Sequence, residues 1–229
     1  MNSSVPDHAR LEIKFAAYEV QVHTLLHWLY MHPARFFMPF PDRWVNNIYF
    51  DMHNYHAFTE NLSGASSRTK VRYRWYGETI RPDKGALEVK CKRNYFGWKH
   101  RYAVSEPPYK AGYSLTDIRL TLLEQLPPEG KKWLNSSPFP IILNRYCRKY
   151  FLSSDGKIRV TMDTKQAVWD QRFKSLPNFQ HQANLPHVFV VEVKFARNDR
   201  ELASQILENI PLRVSRYSKY INCVRAVQG

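Results

Sequence analysis

The sequence predicts an α+β fold on a mainly antiparallel sheet, and three observations predict it. About eight short segments have the composition and alternation of β-strands. A few helical stretches lie between them, without the strict alternation that a parallel sheet with crossover helices would need. On strand after strand, apolar side chains take one face and ionic side chains the other, as the two-residue period of extended chain requires. All 229 residues are read as one domain, with residues 1–8 expected to be flexible.

The elements follow in order. "RLEIKFAA" alternates Leu11, Ile13 and Phe15 against Glu12 and Lys14, and reads as the first strand. A helical stretch over about 16–31 ends at the proline-rich "HPARFFMPFPDR". "VNNIYFD" is a strand, and "NYHAFTENLSGA" reads as a short connection. "SSRTKVRYRWYG" is the next strand, turning at "RPDKG" into "ALEVKCKRN" and then "WKHRYAVS". "SLTDIRLTLLEQLPP" reads as a helix with Ser114 as N-cap and Asp117 at the capping-box position. "QLPPEGKKW" is taken as loop. "LNRYCRKYFLSSDGKIRVTMD" is a hairpin turning at "SSDGK". After the loop-rich "SLPNFQHQANLPH" come the strand "VFVVEVKF" and helical "RELASQILENI" and "SRYSKYINCVRAV".

Composition narrows the partners. An apolar fraction of 44% with 24% charged residues is ordinary for a globular chain. The balance of 34 Lys plus Arg against 20 Asp plus Glu, a net +14, is not, and it predicts a polyanionic partner. There is no hydrophobic leader and no apolar run of membrane-spanning length. Cys91, Cys147 and Cys223 are scattered without metal-site spacing, which suits buried thiols in a reducing compartment. We expect a cytoplasmic protein.

The parity of charges is the most informative pattern. Arg68, Lys70, Arg72 and Arg74 share one face of their strand, opposite Thr69, Val71, Tyr73 and Trp75. Glu88, Lys90 and Lys92 oppose Leu87, Val89 and Cys91; Arg159 and Asp163 oppose Ile158, Val160 and Met162; Glu192 and Lys194 oppose Val191, Val193 and Phe195. "NRYCRKYF" is less clean, with Arg145 and Lys149 on one face and Arg148 on the other. Two architectures satisfy the pattern. An open sheet would leave its charged face in water, whereas an inside-out barrel would line a wet tunnel with charge and pack its apolar outside on helices. A single-strand nucleic-acid platform fits less well, because such binders place aromatics beside the cations, and Tyr73 and Trp75 lie on the opposite face. No nucleic-acid partner is expected.

In order, "LEIKF", "IYFD", "KVRYRWYG", "LEVKCK", "NRYCRKYF", "KIRVTMD", "VVEVKF" and "SRYSKYI" resemble the polyphosphate polymerase domain of the vacuolar transporter chaperone (VTC) proteins. That domain belongs to the CYTH-like triphosphate tunnel metalloenzymes, and the resemblance spans about residues 9–222. It implies an eight-stranded antiparallel β-barrel tunnel with a charged interior and helices outside. It also implies synthesis of inorganic polyphosphate from ATP with Mn2+ or Mg2+, or triphosphate hydrolysis as in related members. Lys14, Arg72, Arg74, Lys90, Arg145 and Arg159 match its phosphate-holding positions, joined by Ser218 and Lys219 of "YSKY". Arg72, Arg74, Lys90, Arg145 and Arg159, together with Lys194, are implied to act in catalysis. Glu192 matches the metal-binding glutamate.

Two departures qualify the likeness. The hydrolytic relatives begin with ExExK, whereas Arg10 stands at the first Glu position of "RLEIK", which favours the polymerase branch. The eukaryotic chaperones carry an inositol-phosphate sensor and membrane helices, and neither is found here. A membrane-protein partner would nevertheless suit such an enzyme and would bring it to a membrane. A catalytically silent binder of polyphosphate or nucleotide, and an inorganic triphosphatase, are the alternatives to the polymerase.

Single residues divide further. Glu12 is assigned equally to metal binding and to pairing with tunnel cations. Glu88 is read as the ion-pair partner that positions Lys90. Arg68, Lys70 and Lys92 are placed towards a tunnel mouth. His23 with His27, and His53 with His56, are read as ordinary surface pairs and not as zinc ligands.

Overall fold

The computed structural model describes Pro6 and residues 9–229. The rest of the 1–8 segment, read above as flexible, lies outside the described residues. Strands β1 (Leu11–Tyr18), β2 (Arg43–Asp51), β3 (Ser67–Tyr76), β4 (Gly85–Arg93), β5 (Phe96–Val104), β6 (Phe139–Leu152), β7 (Arg159–Asp170) and β9 (Val188–Phe195) form one antiparallel sheet in the order β1-β9-β7-β6-β2-β3-β4-β5. A two-residue strand, β8 (Gln182–Ala183), is added beside β7. The sheet curls until its edge strands meet at one bridge, where Arg10 and Gly97 exchange backbone hydrogen bonds of 3.2 and 3.3 Å. Between β1 and β5 the wall is therefore a seam and not a full ladder.

The apolar faces point outward, as the alternation requires. On one flank, Tyr73, Trp75, Leu87 and Val89 pack beneath α3 (Leu115–Gln125) and α4 (Pro128–Ser136), through Ile118, Leu122 and Leu134. On the other, Phe15, Val160, Val191 and Val193 pack beneath α1 (Val22–Met31) and α5 (Arg200–Leu207), through Leu25, Leu29, Ala203 and Ile206. Tyr73 and Trp75 are wholly buried, so no base can stack on them. Between β3 and β4 the strands approach so closely that a Cβ at Gly85 would stand 2.1 Å from the Arg74 carbonyl oxygen.

The structure corrects several elements. "NYHAFTENLSGA" contains a helix, α2 (His56–Leu62), and "QLPPEGKKW" contributes most of α4. β1 runs on to Tyr18, and the preceding helix reading shortens to α1 after a single 3-10 turn at Glu19–Gln21. The last helix, α6, occupies only Lys219–Gln228, capped by the Ser218 hydroxyl, which accepts from the Ile221 amide at 3.4 Å. The capping box holds: the Ser114 hydroxyl accepts from the Asp117 amide, and the Asp117 carboxylate accepts from the Ser114 amide.

Helix α6 lies on the inner, not the outer, face. A bulge in β7 at Lys165, where φ is 50°, shifts the register and turns Val168 inward, beyond Asp163. Val168, Ile142 and Tyr49 then make an apolar floor at the end of the sheet where β2 finishes, and Tyr220, Ile221, Cys223 and Val224 cover it. Asp51 fastens the cover. Its carboxylate accepts from the Tyr220 hydroxyl at 2.5 Å and from the Ala57 and Phe58 amides at the start of α2. Asp51→Ala should thus destabilise the fold by about 3 kcal/mol, since the buried donors lose a charged acceptor. Urea unfolding should show the loss, and an unchanged midpoint would remove Asp51 from this role.

Candidate functional site

The curl turns the ionic faces of seven strands toward one another, and the start of α6 adds to them. Four carboxylates, Glu12, Glu88, Asp163 and Glu192, face nine cations there: Lys14, Lys70, Arg72, Arg74, Lys90, Lys99, Arg148, Lys194 and Lys219. Water-filled space alone does not explain such placement, because surface cations this dense would splay apart. The strand pairing fixes their backbones and the carboxylates engage most of their head groups, which limits how far they separate.

Two charge hubs result. Glu88, 2% exposed, accepts from Arg72 at 2.7 Å and from Lys99 at 2.7 Å, with Arg74 3.5 Å away. Burial pushes its carboxyl pKa up, but Arg72, Arg74 and Lys99 outweigh that and hold it far below the carboxylate range. Arg74 also donates to Asn47 at 2.7 Å and to the Tyr146 hydroxyl at 2.8 Å, and Asn47 donates on to Asn144. The guanidinium is thereby locked in plane. Arg72 is steadied in the same way by the Tyr49 hydroxyl at 3.0 Å.

The second hub is a chain of alternating charge. Lys14 stands 3.2 Å from both Glu12 and Glu192, and Lys194 reaches Glu192 at 2.8 Å and Glu12 at 3.4 Å. Glu192 continues to Lys219 at 3.5 Å and Arg148 at 3.8 Å, and both of these close on Asp163, at 2.5 and 2.6 Å. Burial opposes ionisation of Glu12 and Glu192, yet the lysines around them hold both pKa values low. Lys14 and Lys219, despite burial, are held above the ordinary lysine value by the same carboxylates.

The positive surplus collects where β3 begins and β4 ends. Lys70 has no carboxylate partner among the described residues; it donates to the Ser218 hydroxyl at 2.9 Å. Burial, then Lys90, Lys14, Arg68 and Arg72, push its pKa well below the ordinary lysine value. Lys90 has Glu12 at 3.4 Å, which raises its pKa, but burial and the Lys14 and Lys194 charges prevail and bring it to about 8.

Most of the expected residues are thus brought together: Lys14, Arg72, Arg74, Lys90, Lys194, Ser218, Lys219, Glu12 and Glu192 line one bore. Arg159 shares the inner face with Thr161 and Asp163, makes no ion pair among the described residues, and feels burial and the nearby Arg10 charge, which lower its pKa. Arg145 is the exception. It projects to the opposite face of β6, over the Trp44 ring at 4.0 Å, and pairs with Glu78. Arg148, on the inward face with Asn144 and Tyr146, takes the place expected of it. Glu88 serves Arg72, Arg74 and Lys99, while Lys90 turns to Glu12. Among the described residues no group of three His, Cys, Asp or Glu gathers for a metal, and His56 pairs instead with Glu60. From sequence alone, Asp163 and Arg148 were placed on a strand face without a site role, and Lys99, Tyr49, Asn47, Asn144 and Tyr146 were not singled out; inward parity beside the other bore residues is the signal that finds them.

A hard divalent ion suits this donor set in one form. Glu12 and Glu192 share Lys14 and Lys194 as ion-pair partners, so both present carboxylate oxygens to the same part of the bore. Mg2+-type sites commonly take one or two carboxylates and complete their shell from water and phosphate.

A family model described as the VTC domain matches residues 9–228. The chain belongs to the VTC domain family. None of the curated proteins compared matches it. Among solved structures, this VTC domain is similar to a candidate adenylate cyclase of Vibrio parahaemolyticus, with 9% identity over 97% of this chain and 100% of that one, at a TM-score of 0.50. That likeness shows the tunnel-type α+β fold. A chain of the Schizosaccharomyces pombe Mediator head module aligns over 90% of this chain and 97% of its own, with 8% identity and a TM-score of 0.48, too slight to build on. No helix among the described residues is long and apolar enough to cross a membrane.

Lys90 gives a direct check on the VTC bore. Its folded pKa of about 8 lies below the lysine value of 10.5, so its charge is present below pH 8 and lost above. Keeping that charge opposes folding, so this group makes the fold more stable as pH rises from 8 towards 10. NMR titration of the lysine side chains should show one midpoint near 8 that disappears in Lys90→Arg. A Lys90 midpoint at the ordinary value would refute the crowding described.

Proposed function

We propose that the bore binds the phosphate chain of a triphosphate and that the protein transfers the γ-phosphoryl group of ATP to a growing inorganic polyphosphate chain. The observation that carries the reading is the surplus itself: among the described residues at least ten inward cations, Arg159 included, stand on a rigid wall with only four carboxylates among them. A linear polyanion is the ligand that balances such a row, since one phosphate chain meets several strands at once. Family membership supports it, as the resemblance carried by "KVRYRWYG" and "VVEVKF" points to the same chemistry.

Roles follow from side-chain type. Arg72, Arg74 and Arg148 are held by carboxylates, tyrosines and asparagines, and would give fixed, planar contacts to phosphoryl oxygens. Lys14, Lys90, Lys194 and Lys219 act as point charges, with Ser218 donating a hydroxyl and Arg159 reaching the chain nearer the rim. Glu192 with Glu12 would hold Mn2+ or Mg2+, which when bound supplies further neutralisation of charge on the transferred group. A terminal oxygen of the polyphosphate chain attacks the γ-phosphorus, the bond to the β-phosphate oxygen breaks, and ADP leaves with that electron pair. No protein nucleophile is needed, because positioning and charge neutralisation supply the catalysis.

A second reading has its own support. Every bore carboxylate is already engaged by ammonium or guanidinium groups, an arrangement that would equally suit a module that binds polyphosphate without turnover. Incubation with ATP and Mn2+ should yield long phosphate polymer and ADP. Arg74→Ala and Glu192→Ala should each lower the rate at least a hundredfold, about 2.7 kcal/mol of barrier, while Arg145→Ala leaves it unchanged. Tight tripolyphosphate binding without ADP release would favour the silent module, and accumulating orthophosphate would indicate a triphosphatase. Full activity in Glu192→Ala would reject the metal assignment.

A further inference from the structure

At the end of the sheet where β2 begins, the inward face changes from ionic to aromatic. Arg43 is the first residue of β2 and pairs in register with Arg148, and its guanidinium lies among three rings, 4.7 Å from Phe40, 5.2 Å from Tyr150 and 5.9 Å from Tyr76. Tyr76 and Tyr150 follow the inward parity of Arg74 and Arg148, so they are the next side chains along the walls of the same bore. The step is short. Arg148, 3.8 Å from Glu192, also lies 5.8 Å from the Tyr150 ring. Phe40 meets Tyr150 edge to face at 5.7 Å, while Phe40 and Tyr76 remain 49% and 42% exposed. The neighbouring Asp42 carboxylate is taken by Lys149.

Half-exposed rings held apart by a guanidinium are a poor choice for packing and a good one for stacking. Phe40 and Tyr76 keep part of their ring surface in solvent while the Arg43 guanidinium lies against each, so a planar ligand pays little to use them. Their place, one side chain beyond the phosphate-binding cations, matches where the nucleoside end of a nucleotide would emerge if its phosphates lay in the bore. We propose that Phe40, Tyr76 and Arg43 form a nucleobase platform at the tunnel mouth, selecting a nucleoside triphosphate over inorganic triphosphate and purines over pyrimidines. The base would stack on the exposed rings and the guanidinium plane, without base-edge readout, so adenine and guanine would be taken alike. This assignment rests on the phosphate-binding reading of the bore.

Isothermal titration with ATP, CTP and inorganic tripolyphosphate tests it, on the wild type and on the Phe40→Ala/Tyr76→Ala double variant. Both side chains are half in solvent, so the variant should keep the parent melting temperature. The wild type should bind ATP more tightly than CTP, and the double variant should lose about tenfold or more in ATP affinity with tripolyphosphate affinity unchanged. Equal ATP affinity in the two proteins would overturn the platform, and so would parallel loss for ATP and tripolyphosphate. If the wild type binds ATP but not tripolyphosphate, the bore reading fails and the platform is still scored from ATP; if it binds tripolyphosphate and not ATP, only the platform fails.

Discussion

The protein is organised around crowding of positive charge that its own backbone enforces. At an effective dielectric near 20, two like charges about 4 Å apart repel by roughly 4 kcal/mol. Burial, and after it the charges of Lys90, Lys14, Arg68 and Arg72, push the Lys70 pKa down. Free side chains would relieve this by moving away. Here adjacent strands fix them, and the wall is stiffened by two apolar clusters on its outer side. Buried Leu25, Leu29, Ile118 and Leu122 thus help hold the cations in place, although none of them approaches the bore.

Carboxylates relieve the crowding only in part, and their positions shape the site. Glu88 locks Arg72 and Arg74 on the β3 wall, and Asp163 with Glu192 locks Arg148, Lys194 and Lys219 on the β7–β9 wall. Arg72 and Arg74 are held further, because their carboxylate contacts are supplemented by Tyr49, Tyr146 and Asn47. Lys70, beside Ser218, keeps the least compensation. Rigid arginines on opposite walls with undercompensated lysines between them would grip a phosphate chain at fixed points while tolerating its length.

Much of this was legible in the sequence, and for one reason. Where a strand keeps strict alternation, as in "KVRYRW" or "VVEVKF", apolar parity reveals which residues face inward, and Arg72, Arg74, Glu192 and Lys194 meet partners from other strands there. Legibility failed where the local rule was broken. "NRYCRKYF" carries polar and apolar residues on both faces, so nothing local separated Arg145 from Arg148; the pairing of β6 with β2 and β7 does so. The Lys165 bulge reverses parity partway along β7, and a pattern of types cannot show it. The helix α2 is short, its start at Tyr55 has left-handed backbone, and its cap comes from Asp51 several residues upstream, so the usual N-terminal signal is missing.

By itself the sequence determined most of the strands, the face taken by side chains on the strictly alternating ones, the excess of cations and the expectation of a polyanion, because period and charge are local properties. Tertiary structure decided which cations meet which carboxylates, that α6 seals one end from within, and that aromatic side chains stand at the other. Those outcomes depend on sheet curvature, register and shear, which arise only when strands distant in the chain are paired.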